Sequence, residues 1–95
     1  MPRAARPRLE TGESNLVGPR VRERRVELGL THDVVCGRLA YLTNGRWIPN
    51  RQDIYKIEAQ VRTCTDIEMV AIAGALETSA AWLLIGNDSL SDPVR

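Results

Sequence analysis

Long apolar runs are missing from this chain. The longest, Ala80–Ile85, is six residues, against the ~20 that a membrane-spanning helix needs, so no membrane span is expected. Arg3, Arg6 and Arg8 are not followed by an apolar stretch, so no secretory signal is expected either. Two cysteines, Cys36 and Cys64, are too few for a disulfide framework and point to a reducing, cytoplasmic setting. Both read as small core or helix-end residues rather than redox sensors. His32 is the only histidine, and no second ligand lies at helical spacing from it, which speaks against a metal or a histidine-based catalytic site. Paired carboxylates around a pocket-forming pattern, a Ser-His-Asp set and a phosphate-cradling glycine loop are also missing. No enzymatic activity, metal or cofactor is expected.

What is present fits one small domain. With 95 residues, 43% hydrophobic and 26% charged, the composition is globular and leaves no room for a second core. A chain this short buries about 60–65% of its unfolded surface, so it is expected to gain stability from a partner subunit. The net charge of +1 hides an asymmetry. Residues 1–25 carry seven arginines against three glutamates, 26–62 are nearly balanced, and 63–95 set Arg95 against five acidic residues. A basic front suggests a polyanion partner; a solvated, charge-mixed surface is the plain alternative. All but one of the 13 basic residues are arginine. Its planar fork grips phosphates and guanine edges as lysine does not.

Residues 1–14 read as a flexible basic arm, broken by Pro2, Pro7 and Gly12, and 87–95 as a flexible tail. Between them, 15–86 show helical periods and no strand alternation. The first helix is predicted over 16–28, with Val17, Val21 and Leu28 on one face and Gly29 as its stop. The second follows Thr31 as N-cap, points Val35, Leu39 and Leu42 inward, and ends at Asn44-Gly45. After a loop anchored by Trp47 and Ile48, Asn50 caps a third helix over 51–60. Its Ile54, Ile57 and Val61 face inward, and Gln52, Tyr55, Lys56 and Ala59 face outward. That outward face is polar yet carries a single charge. Thr65 and Glu68 fit a capping box that opens a fourth helix to about Glu77, with Met69, Val70, Ala73 and Leu76 inward. Thr78 or Ser79 caps a short fifth helix through Ile85, ended by Gly86. The sum is a compact all-α five-helix bundle.

Several stretches fall in a telling order. They are Val17-Gly18, Val21-Arg22-Glu23, Arg25 and Gly29-Leu30-Thr31, then Arg51, Ile54, Lys56-Ile57-Glu58, Arg62 and Thr65-Asp66, then Ala73, Ala75-Leu76 and Trp82-Leu83-Leu84. In this order and spacing, residues 17–86 resemble the Cro/lambda-repressor class of helix-turn-helix proteins, the xenobiotic-response-element family. The resemblance implies a bundle of the lambda-repressor-like DNA-binding type. Its second and third helices would form the helix-turn-helix, and the third would enter the major groove. It also implies a bacterial or phage protein acting as a homodimer. Here the turn is lengthened at 43–49. His32 stands where glutamine is common, Arg24 where an apolar residue is usual, and Gln60 where glycine is common.

With that resemblance, Arg51, Gln52, Tyr55 and Lys56 are candidate base contacts. Arginine can pair with guanine O6 and N7, and glutamine with adenine N6 and N7. Lys56 could reach a guanine or a phosphate, and Tyr55 a thymine methyl or a phosphate. Ordinary exposed helix residues would read the same way. Thr31, His32, Arg46, Asn50 and Arg62 are candidate phosphate contacts, the first two because helix N-termini attract phosphate. Arg62 has an alternative role, holding helix-terminal carbonyls. Arg25 and Glu58 match a pair that links the first and third helices and reads as structural. Trp82, Leu83 and Ile85 are the candidate dimer interface, because Ala80–Ile85 is more apolar than one short helix usually hides; core positions are the alternative. The arm's arginines either follow a groove or do nothing.

The expected function is that of a sequence-specific double-stranded DNA-binding transcriptional regulator, a repressor by preference, in the cytoplasm at the nucleoid. The alternative is an antitoxin or adaptor. It would hold a protein partner with its acidic C-terminal third and use DNA binding for autoregulation.

Overall fold

The computed structural model describes residues 8–86. Most of the expected arm, 1–7, and the expected tail, 87–95, lie outside them. Five helices follow one another, with no strand among the described residues. They are α1 Gly18–Glu27, α2 His32–Leu42, α3 Arg51–Glu58, α4 Asp66–Ala75 and α5 Ala80–Ile85. The described residues thus form the expected all-α, five-helix class, with α1, α3 and α4 slightly shorter than predicted.

Local chemistry sets the helix ends. Thr31, Asn50, Thr65 and Ser79 each accept the backbone N–H of the residue three positions on, satisfying a donor the helix leaves unpaired. In α3 and α4 the third residue, Asp53 or Glu68, reaches back to the cap's own N–H and closes a capping box. α1 starts differently. Asn15 Oδ1 accepts the Gly18 N–H at 2.8 Å, while its Nδ2 donates to the carbonyls of Ile57 and Arg62. One side chain so begins α1 and ties it to the far end of α3. Ser14, placed in the arm by sequence, also donates its N–H to the Gln60 carbonyl.

α1 packs on α3 and α5, and α2 on α3 and α4, which in turn meets α5. Val21, Val35, Leu39, Ile54, Ile57, Ile72, Leu76 and Leu83 are fully buried among them. α1 and α3 approach closely at Gly18, where a Cβ would stand 2.3 Å from the Ile57 carbonyl oxygen.

Three inward assignments fail. Leu42 is half-exposed, because it ends α2 just as the chain turns away at Thr43. Val61 is exposed, because Gln60 takes φ +64° and reverses the chain after α3 stops at Glu58. Val70 points outward, because the core takes Ile72, Ala73 and Leu76, with Met69 packed against them; that is the i, i+3, i+4, i+7 set of one helix face. Leu83, a candidate dimer contact, has no exposed surface and belongs to the core. Of its companions, Trp82 is half-buried against the core and Ile85 is 45% exposed.

Candidate nucleic-acid interface

The outward side of α3 is as the sequence predicts. Gln52, Tyr55, Lys56 and Ala59 are all exposed. The side chains of Gln52 and Lys56 make no hydrogen bond or ion pair among the described residues. Tyr55 meets only the edge of the His32 ring, at 6.5 Å between centroids. Ile54, Ile57 and Glu58 on the opposite side are buried, which fixes the rotation of the helix. The Asn50–Asp53 capping box fixes its start.

Behind this face lies a buried ionic cluster. Arg25 of α1 grips Glu58 of α3 through Nε–Oε2 at 2.7 Å and Nη2–Oε1 at 3.0 Å. The Glu58 side chain is only 5% exposed. Arg25 Nη1 donates to the Leu30 carbonyl at 3.0 Å. The hydrogen bond it donates to Glu58 raises the Arg25 guanidinium above its ordinary value, against burial, which lowers it. The pair is therefore the structural tie that the sequence suggests. It has an unforeseen third member: His32 Nε2 lies 3.1 Å from Glu58 Oε1. The ring offered as a phosphate contact is instead turned toward this carboxylate.

Other candidates are also engaged within the protein. Arg51 donates to Asp33 of α2 through Nε at 3.3 Å and Nη2 at 2.7 Å. Arg62 holds Glu68 through both terminal nitrogens, at 2.8 and 2.9 Å, and donates to the Thr63 carbonyl. These contacts lie within the protein, but to a carboxylate and a carbonyl of the α3–α4 connection rather than to the helix-terminal carbonyls expected as its alternative. Thr31 and Asn50 use their side-chain oxygens as caps. Arg46 is exposed and its backbone N–H bonds the Thr43 carbonyl, which keeps it at the C-terminal end of α2. An 11-residue helix is about 16 Å long, so Arg46 and the His32–Asp33 end lie at opposite ends of α2.

Three of the five described arginines of the basic front, Arg20, Arg24 and Arg25, are engaged within the protein, as is Arg38 further along. Arg20 donates to the carbonyls of Leu83 and Leu84, and Arg24 to those of Leu76 and Glu77. Arg38 donates to that of Ala75. These carbonyls lie in or just after the last turns of α4 and α5, where the helix leaves acceptors free. Among the described residues, the side chains of Arg8, Arg22, Arg46 and Lys56 make no hydrogen bond or ion pair. Arg22 lines one cleft with His32, Tyr55 and Ala59, beside the outward face of α3. Sequence reasoning passed over it, although its spacing of three from Arg25 places both on one side of α1. It also passed over Asp33 and Asn15.

Both cysteines are free thiols. Burial pushes the Cys64 thiol up to about 11 and raises that of Cys36 as well, so both stay protonated and unreactive at neutral pH. Among the described residues no helix is long and apolar enough to cross a membrane. No group of three or more His, Cys, Asp or Glu among them is placed to hold a metal. No family model, curated protein or solved structure matches the chain.

Proposed function

We propose that the chain is a sequence-specific regulator that binds double-stranded DNA, a repressor of the Cro/lambda-repressor kind. In this reading α2 and α3, joined by the long connection 43–50, act as the helix-turn-helix. The third helix enters the major groove, and the capped start of α2 abuts the backbone, where its free amides favour a phosphate. A homodimer would set two such units about 34 Å apart on one face of the duplex. One observation carries the reading. Gln52, Tyr55 and Lys56 stand together on a face that the fold orients rigidly and leaves uncovered. Gln52 brings the paired donor and acceptor that an adenine edge requires, and Lys56 a charge for guanine or phosphate.

Fluorescence anisotropy of a labelled duplex over a range of salt tests it. The logarithm of the binding constant should fall linearly with the logarithm of salt. Gln52→Ala with Lys56→Ala should weaken binding about tenfold or more without lowering Tm. Binding that ignores salt, or ignores this pair of substitutions, rejects the proposal.

The adaptor or antitoxin reading draws on a different surface. Ile67 and Val70 on α4 are 79% and 64% exposed, and Ile67 also borders a groove lined by Leu42, Trp47 and Ala71. A chain that binds no duplex at any salt would favour that function.

A further inference from the structure

We infer that Asp33 is a positioning residue for recognition, holding Arg51 so that it reads a guanine. The inference rests on the duplex-binding reading above. Both partners stand on fixed backbone. Asp33 is the second residue of α2, just after the Thr31 cap, and Arg51 is the first residue of α3, just after the Asn50 cap. The carboxylate takes Nε–H at 3.3 Å and one N–H of Nη2 at 2.7 Å. A guanidinium has five N–H donors. Three remain, and two of them, one on Nη1 and the second on Nη2, form the end-on edge, parallel donors with no acceptor among the described residues.

That remaining edge selects its partner. In the major groove guanine offers two acceptors, O6 and N7. Adenine pairs one acceptor with a donor, cytosine offers a donor, and thymine offers one acceptor and a methyl. A free arginine would turn as readily to a phosphate, but the Asp33 carboxylate beside it repels a second anion. The pair is not there for folding. Its side chains are 67% and 62% exposed, and ion pairs so exposed contribute little to stability. Arg51 therefore comes to the duplex already oriented, next to the unengaged Gln52, and the operator half-site should carry a guanine opposite it.

Selection from a random duplex pool with the full chain, compared for the wild type, Asp33→Ala and Arg51→Ala, tests this. The wild type should enrich a guanine at one position of each half-site. Both variants should lose that preference about tenfold or more while the other enriched positions persist. Asp33→Asn, which keeps one acceptor oxygen, should retain more of it than Asp33→Ala. Asp33→Ala should also bind unselected DNA at least as tightly as the wild type. Its salt slope should be steeper by about 0.9, one phosphate contact, as the released guanidinium finds the backbone; Arg51→Ala should not. A merely structural residue would not raise that slope while Tm holds. Full guanine preference in Asp33→Ala overturns the inference and leaves the duplex reading standing. Enrichment of no sequence by the wild type overturns both.

Discussion

Gly18 and Glu58 show how single residues hold the outward face of α3 in place. The α1–α3 crossing is so close that any side chain at Gly18 would collide with the Ile57 carbonyl at 2.3 Å, and that carbonyl is backbone. Gly18→Ala should therefore lower stability by about 2 kcal/mol, the usual cost of forcing atoms into a packed contact. Urea denaturation measures it; an unchanged midpoint would contradict the crossing. Glu58 works by charge. Arg25, His32 and the carboxylate form one hydrogen-bonded cluster between α1, α2 and α3. Removing Arg25 or Glu58 would leave the other's buried charge without its ionic partner, the costly case for ion pairs.

Among the elements, the connection from α3 to α4 is held by Glu68, which serves two purposes. It closes the Thr65 capping box and receives both terminal nitrogens of Arg62. Burial would raise its carboxyl, but the bonds from Arg62 and Thr65 outweigh burial and hold it below the ordinary 4.5. A carboxyl lowered on folding stabilises the protein fully above its unfolded value. That stabilisation is lost as the pH falls through the lower folded value. Stability should thus drop below about pH 4.5. In Glu68→Gln the difference between urea midpoints at pH 6 and pH 3 should shrink. A variant that keeps the full difference would show that Glu68 is not responsible. The C-terminal ends of α4 and α5 are finished differently, by Arg20, Arg24 and Arg38 reaching across to their carbonyls.

Across the whole molecule, what was legible in the sequence was what is local. Caps at Thr31, Asn50, Thr65 and Ser79 depend on residues three apart, and all four cap, Ser79 being one of the two residues offered for α5. The outward set Gln52, Tyr55 and Lys56 was legible too, because Ile54 and Ile57 leave α3 one apolar side. α4 was misread at Val70, since a helix apolar on several sides does not declare which one the core takes. The arginines were the least legible. Their acceptors are carbonyls and carboxylates up to 64 positions away, and no spacing rule marks a guanidinium as clamp or reader. Of the basic front's described arginines, Arg20, Arg24 and Arg25 are tied up internally, while the side chains of Arg8 and Arg22 are not.

An amide NMR titration with a short duplex at low salt tests the central claim most directly. Shifts should gather at residues 31–33 and 51–56, with Arg22 beside them, and should fade as salt is added. Shifts gathered instead on the outer side of α4, around Ile67 and Val70, would contradict it.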